Sequence, residues 1–117
     1  MKNQPFGIKL KNAVNGLRHV WRAEVNFRRH VYVALLVLFG FALLQPALIW
    51  WALVVLCIVL VLAAELVNSA LEAVLDHLHP ERHPAIGLAK DMMAGMVLVA
   101  AIGAAVVGVL ALVSTLS

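Results

Sequence analysis

Glu65, Asn68, Ser69, Glu72 and Asp76 stand at offsets of zero, three, four, seven and eleven along one stretch of chain. At about 100° per residue in a helix, all five side chains fall within an arc of roughly 100°. The opposite face, Leu66, Val67, Ala70, Leu71, Ala73, Val74 and Leu75, is apolar. A carboxylate set in apolar surroundings can take a proton from a hydroxyl. Carboxylates nearer water can hold Mg²⁺, which typically uses one or two of them plus phosphate oxygens. Glu24, far upstream, is a further acid of this kind, and Lys90 and Asp91 lie in the first turns of a later helix. A lysine at a helix N-terminus suits phosphate.

These residues need elements that hold them in or beside a membrane. The chain has 117 residues, of which 64% are hydrophobic and 13% charged, with a formal charge of +3. Its mean hydropathy is +0.99. Soluble domains average about 45–50% apolar and about 25% charged residues, so the fold class is an all-α membrane protein of one domain, 1–117. Ala47 through Ala64 carries no charge and no helix breaker, as a membrane span requires. The polar stripe follows without interruption, so one helix over about 47–76 crosses the bilayer and extends beyond it. From Trp50 to Glu65 the rise is about 22 Å, against a hydrocarbon core of about 30 Å. Glu65 therefore lies inside the inner leaflet, about 8 Å short of water, and Glu72 reaches the cytoplasmic surface.

Ahead of this helix, residues of about 6–30 alternate Ile8, Leu10, Val14, Leu17, Trp21, Val25 and Phe27 with Lys9, Lys11, Arg18, Arg22, Arg28 and Arg29. That pattern predicts an amphipathic helix lying in the membrane interface, with Glu24 its one acid. A first span follows over about 28–45 and ends at Gln45-Pro46. Trp50 and Trp51 then stand where an aromatic belt belongs. All lysines and arginines except Arg82 and Lys90 precede the first apolar run. Basic segments stay in the cytoplasm, so three spans place the N-terminus inside and the C-terminus outside. The basic segment lies directly against a span, which argues against a nucleic-acid partner. It is also too long, and lacks the cleavage site, for a signal peptide. His77, His79 and His83 crowd the loop before Pro84, but their spacing fits no zinc motif. A third span over about 86–114 carries Ala100, Ala104 and Gly108 at four-residue intervals, a face for close helix packing. Cys57 sits mid-span as a packing residue.

The ionisable groups gather on one side. Glu24, Glu65, Glu72, Asp76, Lys90 and Asp91 all belong to the cytoplasmic face, and the outer halves of the spans carry none. A charge at a span's centre costs about 2.5–3.5 kcal/mol, so Glu65 calls for a use. A small proton-coupled transporter or assembly subunit using Glu65 is one reading, yet such a path needs polar groups at least to the midplane. A one-sided interfacial site suits a reaction between a soluble reactant and a lipid headgroup. With a metal, a phosphate-binding lysine and a buried base, that reaction is phosphoryl transfer to a lipid hydroxyl. No Walker-type loop or protein-kinase signature is present.

The run Ala63-Ala64-Glu65-Leu66-Val67-Asn68-Ser69-Ala70-Leu71-Glu72-Ala73-Val74-Leu75-Asp76, with Ala89-Lys90-Asp91 after it, strongly resembles the small prokaryotic diacylglycerol kinase and undecaprenol kinase family. Gly16-Leu17-Arg18, Glu24, Phe27-Arg28, Glu81 and His83 add to the likeness, which covers roughly residues 10–110. The resemblance implies an interfacial helix plus three spans in a bacterial inner membrane, assembled as a homotrimer with active sites shared between subunits. It implies transfer of the ATP γ-phosphate to a lipid hydroxyl with Mg²⁺. By matching motif positions, Glu65 is the general base and Glu24 and Glu72 hold the metal and ATP. Glu81, His83, Lys90 and Asp91 contact the nucleotide, and Asn68 and Asp76 support the site. Pro5 and Asn12 do not match the family's nucleotide-contacting positions near the N-terminus. His30 after Asn26-Phe27-Arg28, His83-Pro84 and Ala94-Gly95 are more like the undecaprenol kinase branch. The diacylglycerol kinase branch tends to carry an acid where His30 stands and shares Ser69 and Met92, so diacylglycerol is the alternative substrate.

Overall fold

The structure, a computed structural model, describes residues 3–117. It is all-α, with four helices: α1 Phe6–Ala23, α2 Val25–Leu44, α3 Leu48–Leu78 and α4 Pro84–Leu116. The last three are long and apolar enough to cross a membrane. At 31 residues, α3 is about 46 Å long, which carries its polar end well past a hydrocarbon core of about 30 Å.

The amphipathic pattern over 6–30 is not one helix. It breaks at Glu24, whose backbone is extended (φ −112°, ψ 106°), and residues from Val25 onward belong to the first span. No glycine or proline marks this corner. Arg28 makes it: one guanidinium nitrogen donates to the carbonyls of Trp21 at 2.6 Å and Arg22 at 3.1 Å. These are among the last α1 carbonyls, which lack partners inside their own helix, and a cation there also complements the helix dipole. The Trp21 ring meets Tyr32 edge-on, 5.8 Å between centroids and 81° between planes, which ties α1 to α2 on a second contact.

The turn from α2 to α3 uses three residues. Gln45 adopts the left-handed conformation (φ 53°, ψ 57°), and its backbone N–H bonds the Phe41 carbonyl at 2.8 Å. Its side-chain amide donates to the Ala42 carbonyl at 2.7 Å. Pro46 then stops any continuation of the helix. Trp50 and Trp51 do more than mark an interface. Both pack on the core made by Phe41, Val54 and Ala111, with Trp51 edge-on to Phe41 at 5.3 Å.

Buried positions recur at intervals of seven residues, Phe27, Ala34 and Phe41 on α2 and Val54 and Val61 on α3, or of twice seven, Val97 and Ala111 on α4 with half-buried Ala104 between them. This is the period of left-handed helix packing. The next step on α3 is Asn68, so the stripe that packs the spans runs directly into the polar stripe. Contact is most extensive between α3 and α4, and less between α2 and α3. The small face of α4 is not closed within the chain. Ala100, Ala104 and Gly108 are half-buried, and a Cβ built on Gly108 would meet no atom within 4 Å.

Candidate functional site

Glu65 is the one buried charged residue among the described residues, its side chain 6% exposed. Val61 and Ala64 beside it are buried by the seven-residue packing, and that carries the carboxylate inward with them. Its Oε1 lies 3.2 Å from Nε2 of His30 on α2, whose side chain is 27% exposed. One helical turn onward, Asn68 Oδ1 and Ser69 Oγ are also buried, and neither has a hydrogen-bond partner. Buried polar atoms are normally paired. Four polar side chains therefore cluster here, and two of them present unpartnered oxygens.

An apolar groove of about 500 Å³ leads to this cluster. It runs between α2, α3 and α4 from Leu44 and Leu112 at one end to His30 at the other, and Ala104 and Gly108 form part of its floor. Apart from the Cys57 thiol, His30 is its only ionisable lining residue. The shape and chemistry suit a hydrocarbon chain whose polar end comes to His30.

A second pocket of about 450 Å³ lies beyond it, at the end of the bundle that carries the α3–α4 loop. Asp76, Glu81, His83 and Lys90 line it together with His79 and Arg82. Lys90 Nζ donates to Asp76 Oδ1, which joins α4 to the end of α3. His83 caps α4, its Nδ1 accepting the Ala85 N–H at 3.1 Å, with Pro84 in the first turn. Only the other ring nitrogen of His83 is left for a ligand. This pocket is polar where the groove is apolar. Along α3, Asp76 stands about 16 Å from Glu65.

Glu24 and Glu72 line neither cavity. Glu24 stands at the break just before α2, six residues ahead of His30, and Glu72 stands on α3 about 10 Å beyond Glu65 toward the loop. Both are half-buried, and neither forms a hydrogen bond or ion pair among the described residues. No three His, Cys, Asp or Glu side chains converge there on one point among the described residues. Such a donor set suits a cation that shares its ligands with substrate phosphates, as Mg²⁺ does, and not a closed protein cage. Asp91 is exposed and lines neither cavity.

The sequence-derived site thus divides into Glu65 with Asn68, the carboxylates of Glu24 and Glu72, and the pocket of Asp76, Glu81, His83 and Lys90. Two residues were not legible as parts of it. His30 gave no periodic signal, and only the packing of α2 on α3 brings it to Glu65. Arg28 read as one cation among several on a basic face, yet it holds the corner where Glu24 sits.

The chain matches the family described as prokaryotic diacylglycerol kinase over residues 11–112. It is 34% identical over 103 residues to an undecaprenol kinase of Bacillus subtilis, covering 86% of this chain and 84% of that protein. It is 37% identical over 91 residues to a diacylglycerol kinase of Escherichia coli, covering 78% and 75%. A diacylglycerol kinase of Synechocystis is 35% identical over 102 residues, 86% of this chain but 58% of the longer relative. A match across nearly the whole chain, through all four helices and both cavities, shows that the chain belongs to the prokaryotic diacylglycerol kinase family.

Proposed function

We propose that this chain phosphorylates undecaprenol, with ATP as donor and Mg²⁺ as the metal. It works as a homotrimer in the bacterial inner membrane, with its N-terminus and active site cytoplasmic and its C-terminus outside. Membership of a family of ATP-dependent lipid kinases supplies the reaction class, and the transporter reading of Glu65 falls away with it. The observation that carries the reading is the buried Glu65 carboxylate against His30, which lines the end of an apolar groove, with a polar pocket farther along α3.

In this reading the lipid tail occupies the groove and its hydroxyl meets Glu65. The carboxylate takes the hydroxyl proton as the oxygen attacks the γ-phosphorus and ADP departs. Asn68 and Ser69 offer the headgroup hydrogen-bonding partners. Lys90, held by Asp76, pairs with nucleotide phosphate, and Glu81, His83 and Asp91 contact the nucleotide around the loop. Bound Mg²⁺ would be held by Glu24 and Glu72 and would neutralise charge on the transferring phosphate.

Undecaprenol is favoured by His30 and by the extent of the match to the Bacillus subtilis protein. Diacylglycerol is the second reading, supported by Ser69, Met92 and the 37% identity to the Escherichia coli protein. Purified protein in detergent micelles, given labelled ATP and Mg²⁺, should label undecaprenol faster than diacylglycerol. The reverse preference would move the substrate to diacylglycerol, and no labelled product from either would refute the kinase reading of Glu65.

A further inference from the structure

We propose that His30 carries away the proton that Glu65 takes from the lipid hydroxyl. The inference rests on Glu65 being the base. A base that is 6% exposed cannot hand its proton straight to water, while the imidazole 3.2 Å away is 27% exposed and follows directly on Arg28 and Arg29 at the polar end of the groove. No other group among the described residues is placed to do it. Apart from the Cys57 thiol, about 12 Å along the helix from Glu65, α3 has no second ionisable side chain between Leu48 and Leu71, and α4 has none from Met92 to Val113. On α2, Arg28 is engaged with the Trp21 and Arg22 carbonyls and Arg29 with Asn26 Oδ1. Glu24 stands six residues ahead of His30, and Glu72 about two turns beyond Glu65. The remaining neighbours of Glu65 in the cluster, Asn68 and Ser69, cannot carry a proton's charge.

The balance closes. The hydroxyl O–H bond breaks as its proton joins Glu65, the freed oxygen pair forms the new bond to phosphorus, and ADP leaves with its bonding pair. At rest His30 Nε2–H donates to the Glu65 carboxylate; exchange with water moves that proton to Nδ1, and the freed Nε2 lone pair takes the proton from Glu65 Oε1. The imidazolium then loses its Nδ1 proton to water, which leaves Nε2–H facing the restored carboxylate. Both groups return to their original charge. Histidine suits this work because it changes charge near neutral pH.

A purely orienting role would need only a hydrogen bond, and that is what the test separates. His30→Gln keeps a donor near Glu65 but cannot relay a proton. It should lower kcat by about tenfold or more, within the range of a lost acid–base step, with KM for ATP and lipid nearly unchanged. His30→Ala should be similarly slow and should regain turnover as imidazole is added, in proportion to the free base, whereas wild type should not respond. Size-exclusion profiles matching wild type establish that both variants are folded. If His30→Gln turns over like wild type while Glu65→Gln does not, the relay is wrong and the base assignment stands. Failure of imidazole to rescue a folded but slow His30→Ala variant would likewise overturn the relay. If Glu65→Gln keeps full activity, the base assignment fails and the relay with it.

Discussion

Glu65 and Glu72 are the same residue type on the same helix face, about 10 Å apart along the axis. That is too far for both to bind one Mg²⁺, whose oxygen ligands sit at about 2.0–2.1 Å, and the structure gives them unlike surroundings. Glu65 is buried against His30, while Glu72 is half-buried and unpaired among the described residues. Glu65→Gln should lower kcat by about 10²–10⁴-fold and leave nucleotide binding nearly intact. Glu72→Gln should instead weaken the apparent Mg-ATP interaction, with partial recovery in excess Mg²⁺. Measuring ATP binding and turnover for both variants would expose a reversed assignment. Lys90 offers a third test. Its pairing with Asp76 is largely solvent-exposed, and such pairs contribute about 0–1 kcal/mol to stability, so the pairing serves chiefly to orient the lysine. Lys90→Met should raise KM for ATP by about 10-fold to 100-fold, the worth of one hydrogen bond to a charged group. The melting temperature should hardly move, and a large drop would recast Lys90 as structural.

At the scale of elements, the corner between α1 and α2 is where sequence and structure part. The three spans were legible because uninterrupted apolar runs bounded by Gln45-Pro46 and by Pro80 and Pro84 leave few alternatives. The polar stripe of α3 was legible because helical periodicity alone puts its side chains on one face. The break at Glu24 was not, since the amphipathic pattern runs through it unchanged and the stop comes from a tertiary bond by Arg28. His30 was hidden for a related reason: its partner lies on another helix, and spacing along one chain cannot report that. Arg28→Ala should therefore loosen the corner, costing roughly 1–3 kcal/mol for the lost charged bonds. Faster amide exchange in the last turn of α1, with α3 unaffected, is the expected signature. If exchange is unchanged there, Trp21 against Tyr32 holds the corner by itself.

At the scale of the whole molecule, only 11%, 22% and 11% of the apolar windows of the three spans are buried within the chain. The rest faces lipid or other copies. Glu24 and Glu72 come from two elements and line neither cavity, so the proposed homotrimer would complete its active sites between subunits. Mixing inactive Glu24→Ala subunits with inactive Glu65→Ala subunits should restore part of the activity. No recovery in verified mixed oligomers would confine each site to one chain. Gly108→Leu gives a complementary reading. The position is open, with nothing within 4 Å of an added Cβ, so the helices should still form while the side chain fills the groove. A rise in KM for lipid with ATP binding intact would match a groove for the tail, whereas loss of the oligomer would assign that face to subunit packing.

The unbroken length of α3 has a consequence for how the two substrates meet. One helix carries Glu65 and the edge of the loop pocket, so in the proposed reaction the phosphate donor and the lipid acceptor would be held in register by helical pitch. Glu65 and Asp76 behave as two marks on a ruler. Adding four alanines between Ala73 and Asp76 keeps the face roughly in phase but slides the marks apart by about 6 Å. The groove would survive, so lipid should still bind, while Asp76 would part from Lys90 on α4 and loosen the loop pocket. Transfer to the lipid should fall away, because the γ-phosphate would stop short of the hydroxyl. An insertion variant that still turned over would mean that the loop, and not the helix, sets the distance.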